Sequence, residues 1–586
     1  MQFLYYCTLL YLLVTLSVTQ ACTTVVCGNK ASKDGSVLAA HSSDGGGTLD
    51  PRLVHIPKRY YPDTNATRPI FISPENYPRY SGRDRQVPEY FPENCQSTTE
   101  KCEALSPIGY IPQVSHTYSY FESTYGIMNE HQVGLAESTC SGVFSTTSVA
   151  NGGAALFSID QLSHVAMERA STAREAVTIM GSLAEKYGFY GESDSFEGGA
   201  ESLLVTDPDE GFIFHILPDP TGTSAIWVAQ RVPDDSCAVV ANMFVIREVD
   251  LTDTFNFLGS ANMWSIAAAE GLWSEGNPYD FTGTFSDGEY SHKYYTGRRV
   301  WGAYRLLSPQ LSLPALYDNL KEDRPYPVHS PVHQLLAPSD LFAVLRDWYQ
   351  GTPYDPSEAG VLAGGAFGSP DRYGGGEGES KVEGAWERTI ALYRTSSSFV
   401  VQSRNWLPAE IGGVIWFGAY APHGSCYLPI LPGIMTESPA PLSHVYQGVM
   451  DKTTNFWAYR MVILFYYAAI SSLLCNLIHF LEQVMNLAQT KFSYMIVDIQ
   501  ETQKSLEAES QRIVDMIAAK YSQTDFSSVA PKQEITALLT SNVNDVRDTF
   551  LQLFDTLMFK YADGWINSWS SAGFSSKNTG IEKCAF

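Results

Sequence analysis

The first 21 residues carry no charged side chain, and Phe3 to Val18 is almost wholly apolar. Thr19-Gln20-Ala21 then sets small residues where signal peptidase reads them, directly before Cys22-Thr-Thr-Val-Val, a β-branched run. This leader constrains everything after it. Residues 1–21 read as a cleaved secretory signal peptide, so the fold starts at residue 22. A lipid anchor on Cys22 is the rival reading, but it wants a Leu-like residue where Thr19 stands. The expected location is outside the cell, or lumenal in a lysosome-like compartment. The sequon Asn65-Ala66-Thr67, in a Pro- and Tyr-rich loop, fits a secreted chain.

Charge and cysteine usage remove whole classes of partner. Lys and Arg number 38 against 63 Asp and Glu, a formal charge of −25 that repels phosphate backbones. Nucleic acid is therefore not an expected partner, and an anionic membrane surface is little better. With 44% hydrophobic and 13% aromatic residues, the chain can bury a large core and is not a disordered protein or a rod. Its ten cysteines include no CxxC pair, which excludes zinc ribbons and thioredoxin-type motifs. Cys95 and Cys102, in one polar loop, are the expected disulfide; Cys27 is expected in the core.

Mixed short strands and helices without βαβ alternation predict an α+β fold. Expected strands are Thr23–Cys27, Val37–His41, Ser202–Val205, Phe212–His215, Ala225–Gln230, Cys237–Val245, Ala391–Gln402 and Val414–Gly418. Helical periodicity runs over Ile159–Ala170, Ala173–Tyr187, Arg298–Leu307 and Pro338–Tyr349. Neither GxGxxG nor a P-loop opens a helix, and Gly360–Gly378 reads as a surface loop. Residues 22–460 form one enzyme-like unit. Met461–Leu481 has no acid or base except His479 and is long enough to contact or span a bilayer. From Met495 onward, Ile496, Ile499, Leu506, Ile513 and Ile517 share a helix face, and Ile535–Tyr561 repeats the pattern. Residues 484–586 thus read as a helical part packed on the same body, with Gln503 and Ser510 interrupting any coiled-coil seam.

GxSxG and HExxH are both absent, and no metal or organic cofactor is expected. What remains is a cysteine at a cleavage point. Processing would give Cys22 a thiol and a free α-amine in one residue, and an amine of pKa about 7.7–8 can accept the thiol proton. On position alone, the commoner reading of such a cysteine is a buried or disulfide-bonded one.

Cys22-Thr-Thr-Val-Val-Cys-Gly-Asn-Lys-Ala-Ser-Lys-Asp34-Gly35-Ser36, followed by His41-Ser-Ser-Asp44, resembles the start of the peptidase family C69 dipeptidases. So do Gly126-Ile-Met-Asn-Glu-His131, Gly134-Leu-Ala-Glu137-Ser138-Thr139, Trp227–Asp235 and Val239-Val-Ala-Asn242. Arg298-Arg299-Val-Trp301, Gln350–Asp355, Arg394-Thr-Ser, Gln402-Ser-Arg404 and Pro408–Gly418 continue the series in the family's order. The resemblance covers roughly 22–460 and 484–566. It implies a four-layer αββα N-terminal-nucleophile sandwich and hydrolysis of dipeptides or small peptides through a thioester on Cys22. Asn242 matches the superfamily's oxyanion asparagine, though a strand-end cap would also explain it. Asp44 would orient the Cys22 amine, or else serve the turn into Gly45-Gly46-Gly47. His41 stands where the family has Arg, and Ser43 where it has an acid. Arg298 and Arg299 match an arginine pair, of which one, assigned to Arg298, would lie beside substrate or thiolate. His131, Glu137 and Ser138 are expected to line the pocket, while His215 and His423 read as structural.

Removing Val462–Gln483 would join two family-like helix halves. A hydrophobic loop, a membrane contact and a translated intron all remain open for it. Two other functions also stay open: an amidohydrolase of the same fold acting on acyl amides, and a non-catalytic protein tethered through Met461–Leu481. Nothing in the sequence fixes the oligomeric state.

Overall fold

The computed structural model describes residues 22–45, 49–72, 82–83, 85–94, 103–192, 199–288, 293–315, 326–357, 368–370, 388–445, 450–463, 492–561, 565–570 and 573–578. Residues 1–21, expected as a signal peptide, the Cys95–Cys102 pair, nearly all of Gly360–Gly378 and residues 464–491, which include most of the apolar stretch, lie outside them. No described helix is long and apolar enough to cross a membrane.

Two antiparallel sheets form an α+β body. The seven-stranded sheet runs Ser330–Pro331, Ser236–Val240, Thr23–Cys27, Val37–Ser43, Ser397–Ser403, Val414–Gly418, Leu428–Ile430. The eight-stranded sheet runs Phe257–Gly259, Ala225–Val232, Gly211–Pro218, Ala200–Thr206, Gly134–Cys140, Gly126–Asn129, Tyr120–Glu122, Val54–Ile56. Thr23–Cys27 is buried along its whole length, which is why its sequence is a continuous β-branched run and not an alternation.

The sheets face each other closely. A Cβ on Gly211 of the second sheet would stand 2.8 Å from Val26 of the first, and one on Gly134 would stand 2.9 Å from Val401. Both positions therefore need glycine for sheet contact. Helices Ile159–Arg169 and Ala173–Tyr187 cover the outer face of the eight-stranded sheet, where Val165, Val177 and Met180 join Leu203, Phe214 and Trp227 in one apolar cluster. Thr172 starts the second helix by accepting from Glu175 N, and Glu175 reciprocates by accepting from Ser171 N.

Helices Arg298–Leu307 and Pro338–Leu345 pack against the seven-stranded sheet, with Phe342 stacked on Tyr427 at 4.2 Å. The long helices Phe492–Tyr521 and Val529–Lys560 dock beside them. Gln503 and Ser510, the two polar breaks in the apolar face, are buried and used. Gln503 Nε2 donates to the carbonyls of His423 and Ser425, and Ser510 accepts from Asn542 Nδ2. Satisfied buried polar contacts of this kind fix how a helix docks.

Several expectations change. Cys27 lies in the core as expected, but it is also disulfide-bonded to Cys237, directly opposite on the neighbouring strand and 210 residues away in sequence. The strand expected over Cys237–Val245 ends at Val240, because Asn242 adopts a left-handed φ of 56° that leaves the sheet. The strand expected from Ala391 begins only at Ser397. Gly134–Cys140 is a full seven-residue strand, and the hairpin Trp565–Ser570/Gly573–Asn578 was not expected. Gly-Leu-Ala-Glu-Ser-Thr-Cys lacks β-branched density, and its strand state comes from the neighbours it pairs with.

Candidate active site

Strand register brings the site together. Thr24 pairs with Val240 on one side and His41 on the other. Continuing both antiparallel ladders past the strand ends brings Cys22 between Ser43–Asp44 and Asn242. Residues from three distant stretches thus meet at one end of three adjacent interior strands, facing Glu137–Thr139 of the second sheet.

Cys22 is fully buried. Burial, followed by the negative charges of Glu137, Asp44 and Glu192, pushes its thiol well above the ordinary range, while the Asp44 backbone N–H donates to the sulfur and opposes the shift. Asp44 is itself held on both oxygens. Its Oδ2 accepts from Arg388 Nη2 at 2.7 Å and Ser42 Oγ at 2.9 Å, and its Oδ1 accepts from Thr395 Oγ1.

Arg299, in the first turn of its helix, is the hub. Nη1 donates to the Cys22 carbonyl at 2.8 Å and Thr23 Oγ1 at 3.1 Å. Nη2 donates to Asn242 Oδ1 at 2.8 Å and the Ala241 carbonyl at 3.2 Å. Burial, with Arg388 nearby, lowers its pKa to about 10, so it stays charged at neutral pH. Arg298 does not share this position. Its Nη1 donates to the Ala315 carbonyl at 2.6 Å, and its guanidinium lies 3.6 Å from the centre of the Tyr354 ring. Helical spacing turns adjacent residues about 100° apart, so only one of the two arginines faces Cys22.

Asn242 Nδ2 donates to the Thr139 carbonyl at 2.6 Å, and its backbone N–H donates to Ser138 Oγ at 2.9 Å. Its Oδ1 is taken by Arg299, so the amide orientation is defined and one Nδ2 hydrogen remains. Asn is among the few residues that enter the left-handed region readily, which suits it to this corner.

His41 and Glu137 are both buried, with His41 Nε2 3.6 Å from Glu137 Oε2, too far for a hydrogen bond. Neither ring nitrogen of His41 nor Glu137 Oε2 has a hydrogen-bond partner. Thr139 Oγ1 donates to Glu137 Oε1 at 2.8 Å and so directs the other oxygen inward. Cys22 Sγ, a His41 nitrogen and a Glu137 oxygen lie within 4.8 Å of one another, a grouping that could hold a cation.

Four of the five expected site residues, Cys22, His41, Asp44 and Asn242, therefore converge, and Arg299 stands where Arg298 was expected. Of the pocket candidates, Glu137 and Ser138 are present, whereas His131 packs edge-on against Tyr118 at 4.2 Å. His215 is structural: its Nε2 accepts from Val245 N at 2.9 Å. Sequence reasoning missed Arg388 and Glu192. Arg388 meets Asp44 across 344 residues, so no local pattern announces it. A separate cavity of about 250 Å³ is lined by Arg59, Arg68 and Arg85 among others, and includes none of the Cys22 group. Arg68 and Arg85 there already pair with Glu168 and Glu122.

Comparison with known proteins adds an independent line. Residues 21–480 match the family model described as peptidase family C69. The chain is 26% identical over 414 residues to a probable dipeptidase of Latilactobacillus sakei, covering 69% of this chain and 73% of that protein. It is 24% identical over 432 residues to a probable dipeptidase of Salmonella dublin, covering 72% and 82%. It is also 24% identical over 426 residues to dipeptidase A of Lactobacillus helveticus, covering 72% and 77%.

Proposed function

Because the chain belongs to peptidase family C69, we propose that it is a dipeptidase whose nucleophile and base are the thiol and the freed α-amine of Cys22. The observation that carries this reading is the burial of Cys22 at a strand start, ringed by Asp44, Asn242 and Arg299. A buried thiol held in its protonated form needs a base at hand, and its own amine needs no separate histidine.

The amine takes the thiol proton as sulfur attacks the scissile carbonyl, forming the C–S bond and an oxyanion. Collapse expels the amine of the second residue, which receives the proton, and leaves a thioester. Water, activated by the same amine, then hydrolyses the thioester and frees the first residue. Asp44, fixed by Arg388 and Thr395, orients the amine. The remaining Nδ2 hydrogen of Asn242 serves the oxyanion, aimed by the Arg299 bond to Oδ1. We read the two facing sheets and their outer helices as the αββα sandwich of N-terminal-nucleophile hydrolases. The Cys27–Cys237 disulfide supports a secreted or lumenal location, since such bonds persist in oxidising compartments.

The test is Cys22→Ala in the full chain, assayed on dipeptides and on acyl amides. Loss of dipeptide hydrolysis with circular dichroism and melting temperature retained supports the reading. Undiminished hydrolysis, or activity on acyl amides alone, contradicts it.

A further inference from the structure

We propose that Glu137, together with His41, binds the free α-ammonium group of the substrate's first residue, so that the site selects unacylated amino termini and cleaves after one residue. The inference rests on Cys22 being the nucleophile.

Bond lengths set the geometry. The amino nitrogen of a residue lies about 2.5 Å from its own carbonyl carbon, given standard N–Cα and Cα–C bonds. A carbonyl poised for attack lies ~3–3.5 Å from the nucleophile. An ammonium on the residue that bears the scissile carbonyl is therefore confined to a few ångströms from the sulfur. A carboxylate that binds it at ~2.7–2.9 Å must stand close to that sulfur too. Glu137 does: one of its oxygens lies within 4.8 Å of Cys22 Sγ. Each further residue ahead of the scissile bond would carry the ammonium ~3.8 Å farther along the chain, out of reach.

The chemistry of the two side chains points the same way. Glu137 is 1% exposed and His41 3%, yet Glu137 Oε2 and both His41 nitrogens lack hydrogen-bond partners. Buried polar atoms left unpaired are costly, and a three-donor cation between Oε2 and Nε2, 3.6 Å apart, would satisfy one on each residue. The Thr139 hydroxyl holds Glu137 Oε1 and leaves Oε2 free for the ligand. Glu192, which accepts from the Tyr125 hydroxyl, adds negative potential at the same end. An N-acyl peptide offers there a neutral amide with one donor and a bulky carbonyl.

The test measures binding separately from hydrolysis. A dipeptide and its N-acetyl derivative are titrated calorimetrically into the full-length Cys22→Ala chain and into Cys22→Ala/Glu137→Gln. The dipeptide should bind Cys22→Ala at least about 30-fold more tightly than its acetylated form, and Glu137→Gln should erase most of that difference. Dipeptide affinity should also decline as its ammonium deprotonates above pH ~8. Equal affinity for both peptides in Cys22→Ala, or a preference that survives Glu137→Gln, overturns the inference. So does equal peptide affinity accompanied by Glu137-dependent retention of zinc in the intact chain. Because Cys22 is absent from these variants, the result does not depend on turnover, and failure of the nucleophile assignment is read from the hydrolysis assay alone.

Discussion

Arg388 Nη2 and Asp44 Oδ2 lie 2.7 Å apart, and both side chains are fully buried. A pair so placed is silent when intact and costly when halved, because the surviving charge has no water to turn to. Asp44→Asn or Arg388→Met alone should lower unfolding free energy by about 3–5 kcal/mol. The double variant should lose less than the sum of the two. Chemical denaturation of the three variants checks this, and additive losses would show that the pair is not coupled.

Arg299 divides its donors between the Cys22 carbonyl and Asn242 Oδ1. Lysine offers a point charge without the planar fork, so Arg299→Lys cannot keep both contacts. Turnover should fall about 100-fold, the scale of a misplacement near 1 Å at a reacting centre. Arg298→Lys, which disturbs a cation stacked on Tyr354, should lower melting temperature more than turnover. Comparing kcat and melting temperature for the two variants checks the assignment; the reverse pattern would restore Arg298 to the site.

Asn242 has two reasons to be asparagine, its left-handed φ of 56° and its amide donor. Substitution by Gly separates them, since Gly keeps the backbone angle free of strain while losing the donor. Both Asn242→Gly and Asn242→Ala should lower kcat by about two to three orders of magnitude if the amide stabilises the oxyanion. Near-normal turnover in Asn242→Gly would reduce Asn242 to a corner residue.

Three buried histidines set an acid limit on the fold. Burial drives His215 down to about 3, and drives His55 and His423 down to about 4. The unfolded chain takes up these protons near pH 6.5, whereas the folded chain refuses them. Their stabilising contribution is therefore complete above about pH 6.5 and is lost as pH falls toward 4 and 3. Within that window each histidine costs up to roughly 1.4 kcal/mol per pH unit. Melting temperature followed from pH 7 to pH 4 should drop steadily; a flat profile would contradict the neutral, buried state.

Legibility in the sequence followed the range of each interaction. Ala173–Tyr187 and Arg298–Leu307 matched their expected bounds because periodicity and capping are local. Cys22 was marked in the sequence by the apolar run before it and the motif it opens, and the structure buries it with Arg299 on its carbonyl. Cys27 was not legible as a disulfide partner, since Cys237 becomes its neighbour only through strand pairing. Glu137 was expected to line the pocket, but its unpaired oxygen appears only when the second sheet is laid over the first. Choosing Arg299 over Arg298 needs the helix phase relative to Cys22, a tertiary quantity.

The central claim is that one residue supplies both thiol and amine, and intact-protein mass spectrometry of the active, mature chain tests it most directly. The expected spectrum begins at Cys22 with a free α-amine, and one equivalent of a thiol alkylator adds at that residue as dipeptide hydrolysis disappears. A fully active chain that begins several residues earlier, or that keeps its activity with Cys22 alkylated, would contradict the account.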